Sequence, residues 1–316
     1  RIILMTYKVL ITCPPMLRQI EYFRKKFAEL DIDITTPDVI QTLTVEELID
    51  IVPQHDGWII GDDPATSKVF EAGKAGHLKV AVKWGIGVDN VDFDACERLG
   101  IPITNTPGMF GAEVADLAMC YLLGLARDAF LIDREVRSGN WLKPAGISLG
   151  SKTLGIVGLG DIGRNIAKRA NAHDLNILGW DPYVDKLPDY IVLQNKWPTG
   201  IEKCDFIVFA CALTEKTQHL FNKSILEKLR PGVRIINVSR GHLIDEVALL
   251  DGLSSGVINS VALDVFEEEP LTPNHFILKF ERCIVGSHNA SNTIDAVKRA
   301  SNEAIKIINT MLNKRH

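Results

Sequence analysis

The stretch TLGIVGLGDIGRNIAKRA sets Gly158, Gly160 and Gly163 in a G-x-G-x-x-G pattern, after an apolar run that reads as a strand and at the start of a run that reads as a helix. Each glycine has its own physical reason. The first lets the chain turn, the second lets backbone approach a pyrophosphate, and the third lets the helix pack closely on the strand. The helix N-terminus, with Asp161 and Ile162 at its start, offers unpaired N–H groups and a positive dipole end to phosphates. NILGWD reads as the next strand and ends in Asp181, about 20 residues on, where a dinucleotide site needs an acid to accept hydrogen bonds from a ribose 2′-OH. A carboxylate there repels a 2′-phosphate, so the pattern predicts NAD rather than NADP. Glycine-rich turns are common alone; the acid at matched spacing carries the reading. Asp161 is an oddity near phosphates. Its side chain is expected to point to solvent, its N–H to face the pyrophosphate, and Arg164 to offset its charge.

Three further stretches, INVSRGHLIDEVALL, VALDVFEEEP and VGSHNASNT, each lie at or just after the C-terminal end of an expected strand, where open α/β sheets gather ligands. They carry Arg240, the run Glu267, Glu268 and Glu269, and His288. Histidine titrates near neutrality and can give or take a proton. A carboxylate on its other ring nitrogen holds the tautomer and favours the protonated ring. A guanidinium grips a carboxylate with a fixed fork of donors. Taken singly, such an arginine is commonly a surface residue and such a histidine a satisfied core residue. DVFEEEP is either a solvated acidic turn or a turn with one working glutamate. Pro270 biases Glu269 toward extended backbone, and alternation would then put Glu267 and Glu269 on one side, leaving two candidates.

The elements that must position these groups follow from alternation. Short apolar runs (KVLIT, GWII, KVAVKW) alternate with amphipathic ones (RQIEYFRKKFAEL, SKVFEAGK, DFDACERLG), which predicts a parallel α/β sheet. The pattern pauses at a segment from about 112 to 138 that reads as one long helix, able to bury itself in its own subunit or against a second. It then resumes with TLGIVGL, NILGWD, DFIVFAC, VRIINVS, NSVALDVF and RCIVGSH, and SNTIDAVKRASNEAIKIINTMLNKR has helical apolar spacing. Two α/β units joined by a long helix are expected. With 316 residues, 46% hydrophobic and 24% charged, the composition is globular. The net charge of -5 gives no basic field for nucleic acid. The apolar runs are too short to cross a bilayer and no signal peptide is apparent, so no membrane role and a cytoplasmic location are expected. Cysteines 13, 96, 120, 204, 211 and 283 form no CxxC pair and lie at no metal-ligand spacing. They are expected to be reduced and mostly buried, with no metal site.

Taken together, KWGIGVDNVD, NTPG with the following EVAD, GLGDIG, NVSRGHLIDEVAL, ALDVFEEEP and the SH before NASNT resemble the D-isomer-specific 2-hydroxyacid dehydrogenase family, over nearly the whole chain and in order. The loop motifs are most similar to the phosphoglycerate dehydrogenase branch. The resemblance implies two Rossmann-like parallel-sheet domains with the active site in the cleft between them: a substrate domain of residues 1–105 and 291–316, and an NAD domain of residues 106–290. It implies a catalytic set of Arg240, Glu269 and His288 that interconverts a D-2-hydroxy acid and its 2-keto acid. It further implies that Cys211, Val238 and Ser239 lie along the cofactor, that Asp264 meets the nicotinamide carboxamide, and that Gly85, Ile86 and Gly87 offer N–H groups to a substrate carboxylate. Lys83 either adds charge for an acidic or phosphorylated substrate or is a solvated strand end, and Trp84 reads as core. Ala212 stands where the family usually has proline, which is expected to loosen that loop. A homodimer through the long helix is the family habit. Two other readings are a formate dehydrogenase, which would pair the histidine with glutamine, and a dinucleotide-sensing corepressor.

Overall fold

The computed structural model describes residues 6–194 and 196–314. The chain divides into two compact units, Arg1–Phe110 with Asn292–His316, and Gly111–Ser291.

The first unit is a five-stranded parallel sheet of β1 (Tyr7–Ile11), β2 (Ile32–Thr35), β3 (Gly57–Ile60), β4 (Val80–Lys83) and β5 (Ile103–Asn105), ordered β2-β1-β3-β4-β5. Parallel strands covered on both faces need continuous rather than alternating apolar runs. GWII and VAVK satisfy this, being buried at every residue. One core layer gathers Leu10, Trp58, Phe70 and Ala81. The final helix, Ile294–Asn313, packs on β3 and β4 through Ala296, Val297, Ala300, Ala304, Ile305 and Ile308, the three- and four-residue spacing of one helical face. Thr293 caps it, Oγ1 accepting from the Ala296 N–H.

The second unit is a seven-stranded parallel sheet of β6 (Thr153–Val157), β7 (Asn176–Trp180), β8 (Ile191–Leu193), β9 (Phe206–Phe209), β10 (Val233–Asn237), β11 (Ile258–Leu263) and β12 (Ile284–Val285), ordered β12-β11-β10-β9-β6-β7-β8. The chain runs outward from β6 to β8 and resumes on the other side at β9. The switch point between β6 and β9 is where such sheets open a ligand crevice beyond their C-terminal ends.

The expected single helix from about 112 to 138 is two helices, Gly111–Arg127 and Ala129–Arg137, separated by Asp128 at φ 50°. Aspartate tolerates this left-handed conformation better than most residues, and here its side chain is buried beside Arg282. The first helix packs on β10, β11, β12 and the helix Asp161–Asn171, so its own unit buries it. In the second helix Leu131 alone is buried, while Phe130 and Val136 are exposed. Among the described residues no helix is long and apolar enough to cross a membrane.

Candidate active site

The glycine loop follows β6 and leads into the helix Asp161–Asn171, with Gly160 as N-cap. Gly158 has φ 94°, and a Cβ there would come within 2.6 Å of the Cys211 backbone, so the turns after β6 and β9 are pressed together at the switch point. A Cβ on Gly163 would strike the Gly158 carbonyl, while one on Gly160 would meet no heavy atom within 4 Å. Close turn, open backbone and tight helix packing are what a pyrophosphate site requires of its three glycines. Asp181, after β7, accepts from the N–H of Leu159 (2.8 Å, Oδ2) and of Tyr183 (2.9 Å, Oδ1), which fixes it beside the loop.

Asp161 is exposed, as expected, and its carboxylate also lies against the bare Cα of Gly111, at the positive end of the helix Gly111–Arg127. It also accepts from Asn165 Nδ2 at 3.1 Å. Arg164 instead braces the loop, its Nε donating to the Leu159 carbonyl at 2.8 Å. Ile162 is half-buried behind it. Burial pushes the Cys211 thiol up to about 12, which keeps it protonated. The Ala212 loop is tied rather than loose: Thr217 Oγ1 donates to the Ala212 carbonyl at 2.8 Å and accepts from the Thr214 N–H at 2.7 Å. Ser239 Oγ donates to the Cys211 carbonyl, and Val238 is buried beneath. Asn237, which sequence reasoning did not single out, closes the following turn by accepting from the Ser239 N–H (3.1 Å) and donating to the Arg240 carbonyl (2.8 Å). A polar residue ending the apolar run VRIIN was the available signal.

Arg240, Glu269 and His288 follow β10, β11 and β12, three neighbouring strands. The loops are joined by a close backbone crossing: a Cβ on Gly241 would fall on the backbone of Phe266 and Glu267. Glu269 accepts from the Phe266 N–H with Oε1 (3.0 Å) and faces His288 Nδ1 with Oε2 (2.8 Å). A carboxylate accepts there, so Nδ1 carries a proton and Nε2 is the ring nitrogen that would exchange one with a reacting group.

The three glutamates have separate fates. Glu267 meets His219 Nε2 at 2.8 Å, and its N–H donates to Glu246, which also meets His275 at 3.0 Å. His219 and His275 therefore brace the glutamate loop, while Glu268 is exposed. Glu267 and Glu269 both meet histidines, although residues 267–270 run through bends rather than the extended backbone on which the alternation argument depended.

His288 adopts φ 53°. Non-glycine residues hold that conformation only when their surroundings fix it. Here Asp264 does so: its carbonyl accepts the His288 N–H (2.7 Å), Oδ2 accepts the Ala290 N–H (2.8 Å), and Oδ1 accepts the Tyr121 hydroxyl (3.2 Å). Asp264 is buried, with both carboxylate oxygens engaged inside the protein.

In the first unit, Gly85 (φ 124°) has its N–H engaged by Thr106 Oγ1 at 2.9 Å, and Asn105 Nδ2 donates to the Ile86 carbonyl. Ile86 is exposed and Gly87 partly so. Lys83 is neither solvated nor presented outward: it is 2% exposed, with Nζ on the Gly61 carbonyl and on Asp62 at 3.0 Å. Trp84 is core, packed on Phe110 and bonded to Ser301 Oγ. His55 is structural, bonded to the Ile51 carbonyl and Thr35 Oγ1, and burial lowers its pKa. All six cysteines are free thiols. Among the described residues, no group of three or more His, Cys, Asp or Glu is placed to hold a metal.

Residues 119–290 match the NAD binding domain model of D-isomer specific 2-hydroxyacid dehydrogenases. The chain is 33% identical over 294 residues to D-3-phosphoglycerate dehydrogenase of Archaeoglobus fulgidus, covering 92% of this chain and 54% of that protein. It is 35% identical over 274 residues to hydroxypyruvate reductase of Thermotoga maritima, covering 84% of this chain and 88% of that one. The chain thus spans about half of the first relative and most of the second. Its fold matches the TT0316 protein of Thermus thermophilus with a TM-score of 0.86 and 27% identity over 98% of each chain. The chain belongs to the D-isomer specific 2-hydroxyacid dehydrogenase family.

Proposed function

We propose that the protein interconverts a D-2-hydroxy acid and its 2-keto acid with NAD, the single most telling observation being the 2.8 Å pairing of His288 Nδ1 with Glu269 in the unit that holds the glycine loop. Bound at the glycine loop, a reduced nicotinamide would supply the hydride. Gly158, Gly160, Asp161, Ile162 and Gly163 would hold the pyrophosphate, Asp181 the ribose, and Cys211, Val238 and Ser239 would line the remainder. Arg240 grips the substrate carboxylate and polarises the carbonyl. His288 delivers a proton from Nε2 to the carbonyl oxygen in reduction and removes it in oxidation, while Glu269 holds the ring and offsets its charge. Asp264 we assign to support of the His288 turn rather than to the carboxamide. Glutamate rather than glutamine beside the histidine is what proton transfer requires and formate oxidation does not.

For the substrate we infer a small 2-keto acid without a phosphate, glyoxylate or hydroxypyruvate, because the Lys83 ammonium is buried against Asp62 and Gly61. Ile86 and Gly87 remain the carboxylate-facing N–H groups of that loop; Gly85 is engaged by Thr106. A homodimer and a cytoplasmic location complete the reading, the first supported by Phe130, Val136, Trp141 and Leu142 exposed along one stretch. NADH oxidation followed against glyoxylate, hydroxypyruvate, 3-phosphohydroxypyruvate and pyruvate tests it. Turnover with the first two is expected, and failure with all four would sink the enzyme reading in favour of a dinucleotide sensor.

Asp181→Ala should leave turnover with NADH possible while reducing the preference for NADH over NADPH by about tenfold or more, the scale of one lost charge-assisted hydrogen bond and one lost repulsion. Comparing kcat/KM for the two cofactors measures it, and an unchanged ratio removes Asp181 from the ribose.

A further inference from the structure

Tyr121 lies on the buried side of the helix Gly111–Arg127, among alanine, leucine and methionine. A phenylalanine would fill the same space, so the hydroxyl requires its own explanation. Its partner is Asp264 Oδ1, at 3.2 Å. Burial, and then the charge of Asp264, hold the Tyr121 hydroxyl above its usual range, so it remains a donor. Through Oδ2 and its carbonyl the same Asp264 holds the N–H groups of Ala290 and His288. Those two bonds bracket the residue whose backbone sits at φ 53°. The chain leaves no room for another group at this point: a Cβ on Gly286 would strike both Asp264 Oδ1 and the Tyr121 hydroxyl. Helix, aspartate and bare glycine form one packed support under the catalytic histidine.

We infer that Tyr121 is a positioning residue for His288: by fixing the Asp264 carboxylate it fixes the turn that sets the imidazole against Glu269. The inference rests on the reading of His288 as the acid and base. Without the hydroxyl, a buried carboxylate oxygen loses its donor and the carboxylate is no longer held against rotation. Rotation loosens the Ala290 anchor on Oδ2, and with it the far end of the turn whose near end, the His288 N–H, is held by the Asp264 backbone carbonyl. Since a misplacement of 1 Å can cost about a hundredfold in rate, a partial loosening should cost about tenfold in kcat.

The test compares wild type, Tyr121→Phe and Gly286→Ala, the last pressing on the contact between the Tyr121 hydroxyl and Asp264 Oδ1 and standing in should the first not fold. Keto-acid reduction gives kcat, KM and their pH profiles, NADH fluorescence gives cofactor affinity, and side-chain ¹⁵N NMR follows the His288 ring, assigned with His288→Asn. We expect kcat to fall about tenfold with NADH affinity within about twofold, the pH profile of kcat to move, and the His288 ring signals to shift. Unchanged ring signals and an unchanged profile in the folded variants, with only thermal stability lowered, would overturn the inference. Shifted ring signals in a protein with no turnover in its wild-type form would leave the positioning role standing and reject the dehydrogenase reading.

Discussion

His288→Asn is expected to lower kcat for keto-acid reduction by about 10² to 10⁴, the range a positioned general acid supplies, while NADH affinity stays within about twofold. Asparagine is the informative substitute because it tolerates a left-handed backbone better than alanine or glutamine. The φ of 53°, and the N–H bond to the Asp264 carbonyl, can survive the change. Loss of rate without loss of binding would then report the missing proton donor rather than a collapsed turn. Stopped-flow reduction with saturating NADH separates the chemical step from product release. A kcat within about threefold of wild type would remove His288 from the proton transfer, since the smallest contribution of a positioned general acid is about a hundredfold.

Gly241→Ala should be as damaging through a different route. The added methyl falls on the backbone of Phe266 and Glu267 rather than on a side chain that can swing away. One of the two loops has to move as a whole. Overpacking of a core side chain costs about 1–3 kcal/mol, and a backbone conflict should reach the upper end or exceed it. At about 2–4 °C per kcal/mol for a chain of this size, the melting temperature should fall by roughly 6–12 °C. The same displacement separates Arg240, just before the glycine, from Glu269, just after the crossing, so kcat/KM should fall about a hundredfold in whatever protein folds. Gly150→Ala is the control. A Cβ there meets nothing within 4 Å, so it should change the melting temperature by about 1 °C or less. Equal behaviour of the two variants would mean that the loops are not held by their crossing.

How far the sequence discloses this arrangement depends on the distance over which each signal acts. The glycine loop was legible because its requirements are local: turn, open backbone and helix packing are all set within six residues, from Gly158 to Gly163. The strands of continuous apolar residues, GWII and FIVF, were legible for the same reason. β2, β5 and β8 were not: none is buried along its whole length, and the edge strand β8 leaves Val192 and Leu193 exposed. The break at Asp128 was hidden because apolar spacing continues across it, and the residue its side chain faces, Arg282, lies far along the chain. Partners distant in sequence explain the site residues that escaped as well. Nothing near Tyr121 announces Asp264, nothing near Glu267 announces His219, and Asp161 lies against Gly111, fifty residues earlier. Lys83 read evenly as a solvated strand end or a substrate ligand. Its burial follows from Gly61 and Asp62, just past the end of the strand beside it.

The most direct measurement of the central claim, that Glu269 and not its neighbours serves His288, is the pH profile of kcat/KM for keto-acid reduction in Glu269→Gln and Glu267→Gln beside wild type. A carboxylate on one ring nitrogen favours the protonated ring, and reduction consumes that proton. In Glu269→Gln the limb that falls as pH rises should therefore move to lower pH by about one unit or more, with a lower plateau. Glu267→Gln, which frees His219 instead, should keep the wild-type limb and lose rate only modestly. A limb unmoved in Glu269→Gln, or one that moves in Glu267→Gln alone, would contradict the assignment.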